Sequence, residues 1–443
     1  NSYLINFIRD ISVIPAYRQA GVANLIAEGN ISVFICVNLW PKNFLCFCDS
    51  VARHFYPHPQ QTFYLYPLYQ LFMSNSLTIR QIELYKLSIP LIEPFTTSLG
   101  TDYSADNVLV KIITEEGITG FGECSPYMPI NGESQDTCFI VGQYFAKALK
   151  GKNALDIEGC IQLMDSIIYA STSIKSAFDI ALHDIAAQHA GMPLYKFIGG
   201  ENNKTIVTDY TVSVGDIDKM VQEALRIQAQ GYPAIKVKLG KGGKQDVERI
   251  RAIRAAVGKE IPIRIDANQG WKVKEAIETL NALAEFDIQH CEEPIARWKF
   301  MQLRKVKKNS PIPIMADECC GDDHDAARLI ELKACDYFNI KLGKSGGIYK
   351  ALKMVRMAEK AGIHLQVGAM LESRIAMTAF AHFALCSPMI EHYDFDTALM
   401  FSEDPVTGGI RYEANGVIKV PETPGLGAVI DEERLSRMEK VVI

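Results

Sequence analysis

From Thr205 onward, apolar and polar residues alternate in a way that predicts a strand, then a helix, then another strand. The candidate strands are TIVTDYTV, PAIKVKL, PIRIDA, IQHCEEP, PIMADE, YFNIKLG, IHLQVGA and IEHYDFD. A polar or small residue lies near the end of each, and the intervals between these residues run from 24 to 28 positions. A βα unit has about this length, and about eight such units close into a parallel barrel. A doubly wound open sheet is the alternative, but no GxGxxG loop follows the first strand.

The preceding part of the chain has a different pattern. Leu77 to Ile89 alternates like a strand, and Asn107 to Glu123 predicts a hairpin that turns at Glu115–Gly117. Helical spacing begins at Asp136 and again at Ser173. This region is therefore predicted to be an α+β domain.

The domain boundaries follow from these patterns. We expect an α+β domain over residues 73–203 and a modified (β/α)8-type barrel over residues 204–399. Residues 400–443 are rich in Gly and Pro and are expected to return and pack on the first domain.

Residues 1–72 differ from the rest in carrying few charges and many aromatic residues. Ordinary strand patterning starts just after Met73, so we expect the native chain to begin near Met73 and residues 1–72 to be an extension of uncertain origin. The most apolar stretch, Ile31 to Cys48, is interrupted by Asn38, Pro41, Lys42 and Asn43, which argues against a membrane span. An anchor to a membrane or a partner remains the alternative for this segment.

Composition narrows the function classes. The chain has 443 residues, of which 48% are apolar and 22% charged, with a net charge of −6. These values are typical of a globular protein and give no reason to expect a nucleic acid or a membrane as a partner. The eleven cysteines form no CxxC pair, so we expect free thiols in a reducing compartment and a cytoplasmic location.

Three carboxylates come from successive predicted strands: Asp266, Glu292 and Asp317. Because the carboxyl ends of barrel strands meet at one mouth, these side chains are expected to converge. Unpaired anions in one pocket repel each other, and a hard divalent cation removes that repulsion. Three carboxylates suit Mg²⁺, whereas each acid taken alone could be a helix cap or a surface group. Glu293 lies on the opposite strand face and is not assigned as a ligand.

Lysines flank this triad. Lys236 and Lys238 share one strand face, and Lys341 comes from a strand after the triad. A cation and a second ammonium would lower the pKa of Lys238 towards that of a usable base, and Lys236 could hold an anionic substrate oxygen. Solvated lysines at a strand end are the alternative reading. A lysine on each side of a metal-bound carboxylate substrate would invert its α-carbon through an enediolate.

The motifs KVK, DANQGW, CEEP, MADE and NIKLGKSGGI, in this order, resemble the enolase superfamily and its muconate-lactonizing subgroup. The resemblance runs from about Leu77 to the C-terminus. It implies a capping domain over a modified barrel, one Mg²⁺ on the three carboxylates, and Lys238 and Lys341 as the acid/base pair.

Within that subgroup, HYDFDTALMF resembles the dipeptide epimerases. The resemblance implies that Asp394 and Asp396 bind the substrate ammonium and that Thr211 contacts the dipeptide. The epimerised centre would then be the α-carbon of the second residue of an L-Ala-L-Xaa dipeptide. An exposed acidic loop is the alternative for the aspartate pair.

Two predicted capping loops, Glu93–Tyr103 and Glu123–Ser134, are expected to shape specificity. Family members that act on Ala-Glu would place a cation near Gly100, but no Lys or Arg occurs from Glu93 to Val108. Small or apolar dipeptides of the Ala-Ala or Ala-Val type are therefore favoured.

Other activities remain open. N-acylamino-acid racemase and o-succinylbenzoate synthase would share the lysines and metal but leave Asp394 and Asp396 without a role, as would muconate cycloisomerase. A non-catalytic barrel would leave the whole set unused. A homo-oligomer is compatible with the sequence.

Overall fold

The computed structural model describes residues 76–443. The predictions about Met73 and residues 1–72 fall outside this range. None of the helices in the described part of the chain is long and apolar enough to cross a bilayer.

The first domain is a four-stranded antiparallel sheet covered by helices. The strand order is β17-β1-β2-β3. Its strands are β1 (Ile79–Thr96), β2 (Thr101–Thr114), β3 (Thr119–Cys124) and β17 (Lys440–Val442), and its helices are α1 (Met128–Asn131), α2 (Gln135–Leu149), α3 (Ile157–Ile167), α4 (Thr172–His189) and α5 (Leu194–Phe197). The predicted turn at Glu115–Gly117 is confirmed, since β2 and β3 pair across it and Gly117 takes a φ of 85°.

Helix α4 is buried along almost its whole length, and glycines allow it to reach the sheet. A Cβ at Gly122 would lie 1.9 Å from the carbonyl oxygen of Ala177, and one at Gly120 would lie 2.2 Å from that of Ala181. The two glycines of β3 therefore set the distance between helix and sheet.

The second domain contains eight parallel strands in a single curled sheet. The strands run in chain order from β5 to β12, which excludes the doubly wound alternative because that topology requires a reversal of strand order. They are preceded by the short strand β4 (Ile206–Val207) and comprise β5 (Tyr210–Val212), β6 (Ile235–Lys238), β7 (Ile263–Asp266), β8 (Ile288–Glu292), β9 (Ile314–Ala316), β10 (Tyr337–Ile340), β11 (His364–Val367) and β12 (Ile390–Tyr393). All eight predicted barrel strands are confirmed.

Helices follow the strands; the longer ones cover the outer face of the sheet, and the four-residue helix after β10 packs against α4 of the first domain. They are α6 (Ile217–Ala229), α7 (Gly243–Val257), α8 (Val273–Ala282), α9 (Phe300–Lys308), α10 (Asp323–Leu332), α11 (Leu342–Ser345), α12 (Ile348–Ala361) and α13 (Arg374–Ala384). The sheet curls until its edges meet, where Asp209 N donates to Tyr393 O at 3.3 Å and Phe395 N donates to Thr208 Oγ1 at 2.9 Å. This closure brings the carboxyl ends of β5 to β12 around one mouth.

The end of the chain forms further short elements: β13 (Val406–Gly408), β14 (Arg411–Tyr412), β15 (Val417–Lys419), β16 (Ala428–Ile430) and α14 (Glu432–Ser436). Strand β15 pairs with β4, and the last strand, β17, pairs with β1 of the first domain. The boundaries at residues 203 and 399 stay predictions.

Buried carboxylates of the first domain cap the N-termini of barrel helices. Asp179 on α4 accepts hydrogen bonds from the backbone N–H of Ile348 and, at 3.4 Å, of Tyr349, at the start of α12. Glu123 at the end of β3 accepts from Ser373 N at 2.9 Å and Ala376 N at 3.1 Å, at the start of α13. These contacts satisfy N–H groups that have no partner within their own helices, and they fix the first domain over the mouth.

The inner face of the barrel is polar even at the end opposite the mouth. Branched aliphatic side chains fill most βα barrels, but here Arg264 donates to Asp209 at 2.8 Å and to His392 Nδ1 at 3.0 Å. The His392 ring lies 5.0 Å from that of His290, measured between centroids. Burial, together with the Arg264 charge, lowers the pKa of His392 to about 3. Both histidines are buried and the pKa of His290 is also lowered, so the folded protein keeps His392 neutral at mildly acidic pH.

We expect His392 to make the protein less stable as the pH falls below about 6.5. The unfolded chain then binds a proton at this position, whereas the folded chain does not until about pH 3. At pH 5 this difference amounts to about 2 kcal/mol. Urea unfolding at pH 7 and pH 5 should show a smaller acid-induced loss of stability in His392→Gln than in the wild type. His324→Gln, at an exposed position on α10, is the control; equal losses in the wild type and His392→Gln would contradict this account.

Candidate active site

Strand register places the predicted site residues next to one another. Lys238 of β6 pairs with Asp266 of β7, and Asp266 pairs with Glu292 of β8. Glu292 is in register with Met315, so Asp317 follows two residues further along the neighbouring strand, on the same face. The three carboxylates are completely buried. Convergence at the mouth, which the spacing of the sequence predicted, is thus observed.

Lysine ammonium groups lie against these carboxylates. Lys238 Nζ is 2.7 Å from Asp266 Oδ2, and Lys341 Nζ is 2.9 Å from Asp317 Oδ2. Lys236 Nζ is 2.8 Å from Glu292 Oε2 and 3.6 Å from Asp266 Oδ2. Every carboxylate of the predicted triad therefore has a cationic neighbour.

Lys236 is a buried lysine in the barrel interior. Its side chain is 1% exposed, and its Nζ also contacts Asp394 Oδ2 at 2.7 Å. Burial alone would lower the pKa of Lys236, but the carboxylates of Asp394, Glu292 and Asp266 outweigh burial and raise it well above its usual value. Its ammonium contacts protein carboxylates, and its contact with a substrate oxygen stays a prediction.

In other buried charged groups of the site, neighbouring charges likewise outweigh the effect of burial on the pKa. Burial raises the pKa of Asp266, but Lys238 and Lys236 reverse this and lower it below its usual value. Burial lowers the pKa of Lys341, while Asp317 and Glu292 raise it to above the ordinary lysine value. The interior is thus a set of ionised groups that neutralise one another.

A cavity of about 250 Å³ opens at this mouth, between the two domains. Among the predicted site residues, its wall contains Thr211, Lys238, Lys341, Asp394 and Asp396. The remaining four, Lys236, Asp266, Glu292 and Asp317, are not part of that wall and contact its lysines or one another.

The hairpin between β1 and β2 covers one side of the cavity. Thr96 O accepts from Val214 N at 3.1 Å, and Ser98 Oγ donates to Asn268 O at 2.6 Å. The Phe95 ring lies 5.9 Å from Lys238 Nζ, measured to the ring centroid. The capping domain therefore excludes water from one flank of Lys238.

Strands β6 and β10 carry the two cavity lysines and are separated by three strands of the eight. In a sheet that curls until its edges meet, positions four strands apart lie on opposite sides. Lys238 and Lys341 therefore face the cavity from opposite walls.

The aspartate pair lies at the end of β12. Asp396 Oδ2 accepts from Thr211 N at 2.7 Å, whereas its buried Oδ1 accepts no hydrogen bond. Burial and the carboxylates of Asp394 and Asp209 raise the pKa of Asp396 well above its usual value. A cationic group at this point would relieve that repulsion.

The donor set fits a hard cation. Three buried carboxylates from neighbouring strands offer the oxygen ligands that Mg²⁺ prefers, and Asp317 Oδ2 accepts no hydrogen bond of good geometry. Within residues 76–443, however, no group of three or more Asp, Glu, His or Cys side chains is already arranged to hold a metal ion. Lysine ammonium groups contact all three carboxylates, Glu292, Asp266 and Asp317. To hold the ion, Lys238 and Lys341 would have to release their carboxylate partners.

Several members of the network were missed by the sequence analysis. Lys344 is buried and contacts Asp317 Oδ1; its position three residues after Lys341 was the available signal. Asp209 lies two residues before Thr211, on the same strand face, and pairs with Arg264 at 2.8 Å. Strand alternation could have indicated Asp209, but not its partner.

Comparison with known proteins agrees with this architecture. Residues 81–199 match the N-terminal domain of mandelate racemase and muconate lactonizing enzyme, and residues 219–434 match the enolase C-terminal domain-like family. The D-Ala-D/L-Ala epimerase of Cytophaga hutchinsonii is 55% identical to this chain over 83% of it and 100% of that protein. The L-Ala-D/L-Glu epimerase of Clostridium acetobutylicum is 39% identical over 79% of this chain and 98% of that protein.

Solved structures give the same picture. The dipeptide epimerase of Cytophaga hutchinsonii, in complex with Mg and D-Ala-L-Val, superimposes with a TM-score of 0.82 at 55% identity and covers 83% of this chain and 100% of its own. The dipeptide epimerase of Enterococcus faecalis, with Mg and L-Leu-L-Tyr, gives a TM-score of 0.77 at 38% identity over 80% of this chain and 99% of its own. The chain therefore belongs to the enolase superfamily, in its mandelate racemase and muconate lactonizing enzyme branch.

Proposed function

We propose that this protein is a Mg²⁺-dependent dipeptide epimerase. It would invert the α-carbon of the second residue of dipeptides of the L-Ala-L-Xaa type. The observation that carries the proposal is one cavity that has Lys238 and Lys341 on opposite walls and is also lined by the Asp394–Asp396 pair at the end of β12. Relatives with dipeptide epimerase activity support it.

Asp266, Glu292 and Asp317 would hold the ion. When bound, Mg²⁺ supplies positive charge to the substrate carboxylate and so favours loss of the neighbouring α-proton. Lys236 would hold an anionic oxygen of the substrate, and its Nζ also contacts Glu292 and Asp394. Its charge keeps these buried carboxylates ionised.

Lys238 and Lys341 move the proton. One Nζ removes the α-proton from one face of the substrate, and the other Nζ donates a proton to the opposite face. This division of work requires the two amines to approach one carbon from two sides, and their positions on β6 and β10 support it.

Asp394 and Asp396 would bind the free ammonium of the dipeptide. Asp396 offers a buried oxygen without a hydrogen-bond partner, and an ammonium group there forms charge-assisted hydrogen bonds. Thr211 N fixes the other oxygen of Asp396. A substrate whose amine is acylated could not make this contact.

The side-chain preference follows from the cavity wall. Its capping-domain part contains Phe95, Leu99 and Ile130 together with the acids Asp102 and Glu133. The cations of the wall are Lys238 and Lys341, and both have roles in proton transfer. A second residue with a small or apolar side chain fits this wall, whereas a glutamate side chain would meet carboxylates.

We expect the purified protein with Mg²⁺ in D₂O to incorporate deuterium at the α-carbon of the second residue of L-Ala-L-Ala and L-Ala-L-Val. Incorporation into L-Ala-L-Glu should be at least about tenfold slower, because one unfavourable charge contact costs 1.4 kcal/mol or more. Proton NMR of the dipeptides measures both rates. Exchange of N-acylamino acids without exchange of any dipeptide would identify an N-acylamino-acid racemase instead.

We expect Lys238→Ala and Lys341→Ala each to lower the kcat of epimerisation by about 10³-fold, because each removes one of two proton-transfer groups. Each variant should still exchange the α-proton of one stereoisomer with D₂O through the lysine that remains. Lys274→Ala, on the exposed face of α8, should behave as the wild type. The two-lysine scheme is wrong if both single variants epimerise at the normal rate.

We expect Asp396→Asn to raise the KM for free dipeptides by about 10- to 100-fold, the range for loss of a hydrogen bond to a charged group. The KM for N-acetylated dipeptides should change little, since these substrates carry no ammonium. Steady-state kinetics with matched free and acetylated substrates decide this. An equal increase in KM for both substrates would show that Asp396 does not bind the ammonium.

A further inference from the structure

Glu293 lies at the junction of three loops that follow strands β7, β8 and β9. Its backbone N donates to Met315 O at 3.0 Å, and its backbone O accepts from Gln269 N at 2.8 Å. Its side-chain Oε2 accepts from Asp317 N at 2.7 Å and from Cys319 N at 3.3 Å. A single residue thus links the loops that follow all three carboxylates of the candidate metal site.

The backbone of Glu293 is held in an unusual conformation. Its φ is +33°, a value that non-glycine residues adopt at an energetic cost, and the residue is 1% exposed. The strained backbone points the carboxylate away from the cavity and towards the start of the loop after β9. Such strain persists where surrounding contacts enforce it, and the four hydrogen bonds of Glu293 are those contacts.

Lys344 holds Asp317 from the other side. Its Nζ contacts both Asp317 Oδ1 and the Asp317 carbonyl oxygen, and it also donates to Asn339 O at 3.1 Å. Lys344 is 5% exposed and sits on α11, the short helix that follows Lys341. The backbone N, the carbonyl and one carboxylate oxygen of Asp317 are therefore all occupied, and Oδ2 is left towards Lys341.

We propose that Glu293 and Lys344 are positioning residues that orient Asp317 so that only Oδ2 is offered to the cation. This inference rests on the metal assignment in the proposed function. Neither residue lines the cavity, and the side chains of both contact Asp317, through which each would act. Groups that orient metal ligands in this way commonly contribute 10- to 100-fold to metal affinity.

The test compares Glu293→Gln with Glu293→Met, using Mn²⁺ as the probe and EPR to measure free Mn²⁺. Both substitutions remove the same negative charge, but glutamine keeps an oxygen that accepts from Asp317 N and Cys319 N. We expect Glu293→Gln to bind Mn²⁺ within about threefold of the wild type and Glu293→Met to bind about 10- to 100-fold more weakly. Equal affinities of the two variants would overturn the positioning role of Glu293.

Lys344→Met provides a second test, which stays decisive if Glu293→Met fails to fold by circular dichroism. Loss of a cation beside the site would by charge alone strengthen Mn²⁺ binding. Loss of positioning would weaken Mn²⁺ binding, and we expect the Mn²⁺ affinity to decrease by about tenfold or more. Unchanged or tighter binding would overturn the inference, and Lys350→Met, which contacts Asp165 instead, is the matched control.

The wild-type titration separates this inference from the proposed function. If the wild type binds no Mn²⁺, the metal site itself is wrong and both proposals fall. If the wild type binds Mn²⁺ but the variants do not differ from it as described, only the positioning roles are wrong.

Discussion

The buried ammonium of Lys236 is the contact on which the interior of the barrel depends. An isolated charge in a protein interior is strongly unfavourable, and this one is tolerated because three carboxylates surround it. The relation is reciprocal, since Lys236 is the lysine that forms ion pairs with the buried carboxylates of Glu292 and Asp394. Lys236 therefore connects the metal-ligand side of the mouth with the aspartate pair on β12.

This arrangement replaces the aliphatic layers of an ordinary βα barrel with paired charges. Arg264 and Asp209 continue the pattern below Lys236. Polar cores of this kind specify a unique packing, because each buried charge can be satisfied by few neighbours. The capping domain adds two further buried carboxylates, Glu123 and Asp179, which bind the N-termini of helices around the mouth.

The fold alone does not decide the reaction. A cation site flanked by lysines would support removal of a proton next to any carboxylate, so the choice of substrate would fall to the other residues of the cavity wall. Here this wall combines an aspartate pair on β12 with an apolar and acidic capping-domain part. This combination favours a substrate with a free ammonium at one end and a small side chain at the other.

The sequence by itself determined the order of elements and the placement of most residues of the candidate site. Regular spacing placed Lys238, Asp266, Glu292, Asp317 and Lys341 at the ends of consecutive strands, because a βα unit has a nearly fixed length. Alternation along a strand placed Lys236 beside Lys238 and Asp394 beside Asp396. Local pattern was enough here, since these relations are set by backbone geometry.

Only the tertiary structure decided which charges pair. The sequence did not indicate that Lys236 pairs with Glu292 and Asp394, or that Glu293 and Lys344 contact Asp317. These contacts join residues far apart in the chain or on different strands, and they depend on how the sheet curls and how tightly it closes. A one-dimensional pattern carries no information on that curvature, so it cannot assign a buried charge to its partner.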